Sequence, residues 1–205
     1  IHYTATQSFE EAKKTLCDKR SEVSAHYLIS EDGLILNLVD ELKRAWHAGV
    51  SKWGNISDIN SYSIGIELSN DGFSPFGEKI MTSLELLLKD ILNKWNIPIH
   101  RVLAHSDISP GRKIDPGVKF DWNRLARNKL AIRPMITNVK TPSKQEFVKS
   151  LAMFGYNSEV PFETLLSAFR IRFNPLGTGS LTAEDVGLAK NLSLNYPIDL
   201  TVWDN

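Results

Sequence analysis

His2 sits in an apparent strand, Ile1-His2-Tyr3, and His105 closes a second predicted strand, Ile99 to Ala104. Asp115 follows at the far end of the stretch HSDISPGRKIDPG, residues 105–117. Two histidines and a carboxylate from separate elements are the ligand set of a catalytic zinc site whose fourth position stays open to water. No local pattern reports such a site, because its ligands lie far apart in the chain. The competing account is a polar surface turn, since Pro110-Gly111 and Pro116-Gly117 both punctuate the chain.

Glu67 and Lys113 weigh against the plain turn. Glu67 is a lone carboxylate in an alternating segment, with Ile64, Ile66 and Leu68 on one face and Gly65 and Glu67 on the other. A solvated strand face is one reading. The functional reading is a general base, because a partly buried carboxylate takes a proton more readily near neutrality. Lys113, while charged, is no ligand, but a cation two residues before Asp115 can stabilise an oxyanion. Metal, base and oxyanion cation together suit hydrolysis of an unactivated amide.

The elements that must position these groups follow from periodicity. Ser8-Phe9-Glu10-Glu11 is a capping box, opening a helix that carries Phe9, Ala12, Leu16 and Cys17 toward Arg20. Val23–Ser30 and Leu34–Val39 read as strands joined by the turn Glu31-Asp32-Gly33. Ile80, Leu84, Leu87, Leu88, Ile91 and Trp95 predict a helix over 79–95, which Pro98 stops. A short helix is predicted over Trp122–Lys129. These alternating elements predict an α/β domain over 1–133, with a central mixed sheet and flanking helices.

Arg133-Pro134 and Thr141-Pro142 bracket a predicted linker, 134–141. Beyond it, over 142–205, three apolar stripes predict a small all-α three-helix domain and tail. Phe147, Val148, Leu151 and Phe154 form the first stripe, ended by Gly155. Phe162, Leu165, Leu166, Phe169 and Phe173 form the second. Val186, Ala189 and Leu192 follow the cap Thr182 with Asp185.

Composition narrows the partners. The chain has 205 residues, zero formal net charge and one cysteine, so no internal disulfide forms and no basic footprint suggests nucleic acid. No apolar run approaches the roughly 20 residues of a membrane span. Cys17 is read as a half-buried small apolar residue rather than a reactive thiol.

Five segments then carry a resemblance, in order: Ile1-His2-Tyr3-Thr4-Ala5, Ser24-Ala25-His26-Tyr27-Leu28-Ile29, Arg44-Ala45-Trp46-His47-Ala48-Gly49, Ser63-Ile64-Gly65-Ile66-Glu67-Leu68, and the 105–117 stretch. Over residues 1 to about 130 the chain resembles the zinc-dependent N-acetylmuramoyl-L-alanine amidases of the second amidase family. That family shares its fold with phage T7 lysozyme and the peptidoglycan-recognition proteins. The resemblance implies one Zn²⁺ per chain, held by His2, His105 and Asp115, with Glu67 as general base and Lys113 as transition-state stabiliser. It implies Arg112 and Arg44 in the substrate groove and His26 and His47 near the metal, while His100 matches no motif. Phage-type members use a Cys as third ligand and a catalytic Tyr; here Asp115 and Ala25 stand at those positions, so the chemistry should rest on Glu67.

The three helices resemble a peptidoglycan-binding domain, through Phe154-Gly155-Tyr156 and the segment Leu166–Phe173. The resemblance implies hydrolysis of the amide between the lactyl group of N-acetylmuramic acid and L-alanine, in peptidoglycan and muropeptides. The alternatives are a recycling amidase restricted to 1,6-anhydro-muropeptides and a non-catalytic peptidoglycan receptor. A monomer is expected, in the bacterial cell envelope or periplasm, with an anchor in a segment before Ile1 as one route; the cytoplasm is the alternative.

Overall fold

The computed structural model describes residues 1–198. Four short strands, β1 (His2–Tyr3), β2 (Tyr27–Ile29), β3 (Ile35–Asn37) and β4 (Ile66–Leu68), form one mixed sheet in the order β1-β4-β2-β3. The β1–β4 and β4–β2 pairs are parallel, and β2–β3 is antiparallel. This is the mixed α/β architecture expected. The β2–β3 hairpin turns at Gly33, whose φ of 92° suits a residue without a Cβ.

The helices start where the caps predicted. Ser8 accepts from Glu11 N at 3.2 Å and opens α1 (Phe9–Cys17). That helix stops at Cys17, short of Arg20, and Cys17 is exposed rather than half-buried. The long α2 (Glu78–Lys94) buries Ile80, Leu84, Leu87, Leu88 and Ile91 against Ile66 and Leu68 of the sheet, as its periodicity requires. Glu67 alternates to the opposite face.

The predicted strand Ile99–Ala104 does not form. A 3₁₀ turn takes Ile99–Arg101, and Val102 N bonds back to Ile99 O rather than to a neighbouring strand. Two bonds tie the remainder to the chain start: Ile1 N to Leu103 O at 2.8 Å, and His105 N to Ile1 O at 3.2 Å. His105 therefore opens a one-turn helix, α3 (His105–Ile108), rather than closing a strand. The short helix predicted from Trp122 follows as α4 (Trp122–Arg127).

The three C-terminal stripes become α5 (Lys144–Phe154), α6 (Phe162–Phe173) and α7 (Ala183–Asn195). Thr182 and Asp185 form the expected capping box on α7. Their core is not closed on itself. Phe147, Phe154, Leu165 and Phe169 share one buried cluster with Trp53, Ile59 and Ile108 of the first part. The Trp53 ring lies 5.2 Å from that of Phe154, and a Cβ on Gly155 would meet Trp53 at 2.4 Å. The segment read as a linker also packs on α7, where Thr137 N donates to Gly187 O at 3.3 Å. Within the predicted tail, residues 199–205 lie outside the described residues.

Candidate active site

The loop 105–117 folds back on itself. Ser106 N donates to Asp115 O at 3.0 Å, and Ser109 O accepts from Arg112 N and Lys113 N, both at 3.1 Å. Gly111 and Gly117, the second residues of the two Pro-Gly pairs, have φ of 77° and 80°. Both ends of the loop thereby meet β1.

Three atoms converge there. His2 Nδ1 lies 2.9 Å from His105 Nδ1, and each is 3.0 Å from Asp115 Oδ2. All three residues are buried, and among the described residues they form the one cluster able to hold a metal ion. Burial lowers the His2 pKa to about 3, so the ring stays neutral and keeps a lone pair for a cation. Burial opposes the charge on Asp115, but the bonds with His105 and His2 outweigh it and hold the carboxyl well below its usual range. Two imidazoles and a carboxylate, all on one point, fit zinc and leave a fourth position open.

The outer ring nitrogens are committed as well. His105 Nε2 lies 3.0 Å from Ala48 O, and His2 Nε2 lies 3.1 Å from His47 Nδ1. With Nδ1 turned to a metal, each Nε2 carries the proton and donates it, which fixes the ring. Arg112 Nη2 also approaches His105 Nε2, at 3.1 Å, but both are donors and both serve Ala48 O. Gly65 makes the His47 contact possible, because a Cβ there would meet the His47 ring at 2.3 Å.

Glu67 stands beside the cluster. Its Oε2 is buried without a hydrogen-bond partner among the described residues. Burial, and then the charge of Asp115, push its carboxyl up to about 8, while the Lys113 ammonium pulls the other way. A cleft of about 510 Å³ opens onto Glu67, His47, His105, Arg112, Lys113 and Asp115. With a metal bound, such a site could polarise a water beside a proton acceptor and a cation.

The remaining predicted residues divide. His47 and Arg112 reach the cleft, with Arg112 tethered to Val50 O at 2.8 Å. His26 is buried behind it, accepting from Gly65 N at 3.0 Å and donating to Lys43 O at 2.9 Å, so both ring nitrogens serve backbone. Arg44 is outside the cleft lining and pairs with Asp58 at 3.0 Å. Sequence reasoning passed over Trp46 and Tyr3, which also line the cleft. Trp46 lies inside a quoted motif and is 49% exposed, a signal visible only once burial is known.

Comparison with known proteins shows the family to which this fold belongs. Residues 1–118 match the family profile described as N-acetylmuramoyl-L-alanine amidase. The chain is 35% identical to N-acetylmuramoyl-L-alanine amidase AmiD of Escherichia coli, over 97% of this chain and 83% of that protein. It is 45% identical to 1,6-anhydro-N-acetylmuramyl-L-alanine amidase AmpD of Haemophilus influenzae, over 50% of this chain and 56% of that one. The solved AmiD complex with the substrate anhydro-N-acetylmuramic acid-L-Ala-D-gamma-Glu-L-Lys superposes with a TM-score of 0.86 over 96% of this chain and 88% of that one, at 33% identity. AmpDh3 of Pseudomonas aeruginosa, in complex with anhydromuramic pentapeptide, gives the same TM-score at 31% identity, over 96% and 91%.

Proposed function

This chain belongs to the N-acetylmuramoyl-L-alanine amidase family, and from that premise we propose how its own residues carry out the family's reaction. The reaction is hydrolysis of the amide between the lactyl group of N-acetylmuramic acid and L-alanine. His2, His105 and Asp115 would hold one Zn²⁺. Bound there, zinc would supply Lewis acidity to the water and the carbonyl oxygen. The observation that carries this reading is the convergence of three ligand atoms at 2.9–3.0 Å beside the unpartnered Glu67 Oε2.

Glu67 takes the proton as water attacks the lactyl carbonyl, then returns one to the departing L-alanine nitrogen. Lys113, on the cleft wall, offers its ammonium to the oxyanion. His47 holds the tautomer of His2, and Arg112 offers a guanidinium face to a peptide carboxylate.

The substrate is peptidoglycan and its muropeptides, and we place the enzyme in the cell envelope. In support, α5–α7 resemble a peptidoglycan-binding domain suited to a polymeric substrate, and the likeness to AmiD runs through them, whereas the AmpD match covers about half the chain. The recycling alternative is favoured by one fact, that the AmiD and AmpDh3 complexes both hold anhydromuramic ligands. A digest of intact sacculi beside soluble anhydro-muropeptides, with products identified by mass, separates the two. Release of stem peptide from sacculi supports the envelope reading. Turnover of anhydro-muropeptides alone supports recycling.

A further inference from the structure

Asp107 lies two residues beyond His105, in the single turn of α3, and is wholly buried. Its carboxylate collects donors from three separate parts of the chain. Ala104 N donates to Oδ2 at 2.8 Å, at the start of α3 itself. The Tyr156 hydroxyl, just beyond α5, donates to Oδ1 at 2.5 Å. Arg172 Nη1, from α6, donates to Oδ2. The Arg172 guanidinium carbon also sits 4.0 Å from the centre of the Trp122 ring in α4. Among the described residues this is the buried ion pair that joins the C-terminal helices to the first part. The other cross-link, Lys52–Glu159, is exposed.

A four-residue helix does not hold its own orientation, because helix formation is unfavourable until several turns exist. Tertiary contacts must aim α3, and His105 with it. Buried ion pairs add little net stability compared with apolar packing, so their attested use is to fix geometry. Here the geometry next to the pair is demanding: His105 Nδ1 must stay 3.0 Å from Asp115 Oδ2 and 2.9 Å from His2 Nδ1.

We propose that Tyr156 and Arg172, acting through Asp107, are positioning residues for the metal ligand His105, so that the C-terminal helices complete the metal site. This rests on the reading of His2, His105 and Asp115 as zinc ligands. Tyr156→Phe keeps the ring and the ion pair and removes one bond to Asp107. Arg172→Gln keeps a donor and removes the charge. Asp185→Asn serves as control, because it breaks the 2.6 Å Arg170–Asp185 pair, which lies wholly within the C-terminal part.

The readouts are zinc affinity, by competition with a chelating dye, and the melting temperature of the metal-free protein. Tyr156→Phe and Arg172→Gln are expected to weaken zinc binding several-fold, less than the roughly 10–100-fold that follows loss of a direct outer partner of a ligand, because they act one residue removed through Asp107. Asp185→Asn is expected to lower the melting temperature and leave zinc affinity unchanged. Loss of melting temperature with wild-type zinc affinity in Tyr156→Phe and Arg172→Gln would overturn the proposal. So would equal weakening by Asp185→Asn. A wild-type protein that binds no zinc would instead overturn the metal reading beneath it.

Discussion

His2 and Glu67 are register partners across the parallel pair β1–β4. Neighbouring strands lie roughly 4.8 Å apart, and partners in register share a face of the sheet. Backbone pairing alone therefore sets the spacing between a metal ligand and the carboxylate that handles the proton. Tyr3 and Leu68 pair next in the same ladder. A slip of β1 by one residue would turn His2 toward the α2 core and away from Glu67.

Glu67→Gln keeps shape and loses the base. Its turnover of muropeptide is expected to fall on the order of 10²–10⁴-fold, the usual worth of a general base. Zinc content, measured by elemental analysis, should stay at the wild-type level, since Glu67 is no ligand.

Lys113→Ala removes one of the two cations that line the cleft among the described residues, the other being Arg112. The expected loss is on the order of 10²–10³ in kcat with little change in KM, because the cation acts on charge that develops only in the transition state. Steady-state kinetics on a soluble muropeptide checks it. A rise in KM alone would make Lys113 a substrate-holding group.

Gly65→Ala places a Cβ 2.3 Å from the His47 ring. The ring must move, and His2 Nε2 loses the partner it now has at 3.1 Å. Zinc affinity is expected to drop by roughly 10–100-fold, and His47→Ala should match it. Equal affinity in both variants and wild type would remove His47 from any part in holding His2.

Glu67 also makes the metal-free protein sensitive to pH. An unfolded carboxyl loses its proton near 4.5, whereas the folded one keeps it to about 8, chiefly through burial. Between those values the folded state binds the extra proton, so raising pH favours unfolding. His2 works the other way: lowered to about 3, it costs stability as pH falls below its ordinary 6.5. Comparing metal-free wild type with Glu67→Gln isolates the carboxyl. The variant should gain in relative melting temperature from about pH 5 to 8 and level off above.

Much of the site was legible because its residue types are rare in combination. His2 and Glu67 come from two separate motifs, and His105, Lys113 and Asp115 share a third. His26 looked equivalent to His47 in sequence, and Arg44 shared a groove reading with Arg112. Backbone partners separate them, Gly65 N and Lys43 O for His26 and the Asp58 loop for Arg44, and no periodicity reports such contacts. Strands came out shorter than the apolar runs that announced them. Val23–Ser30 yields only Tyr27–Ile29, because Ser24 bonds with Trp46 instead of a ladder. The run 99–104 read as a strand, but its first half, Ile99–Arg101, folds as a 3₁₀ turn. The C-terminal stripes predicted three helices correctly, but their shared core with Trp53 and Ile108 is a long-range fact that spacing does not carry.

One cluster, His2, His105 and Asp115 with Glu67, is expected to cut the lactyl–L-alanine amide in a zinc-dependent way. The direct measurement is mass spectrometry of an anhydro-muropeptide digested by the metal-stripped protein, by the same protein given one equivalent of zinc, and by zinc-loaded Glu67→Gln. The account predicts free stem peptide beginning with L-alanine only from the zinc-loaded wild type at full rate. Equal release by the stripped protein or by Glu67→Gln, or cleavage at another bond, would contradict it.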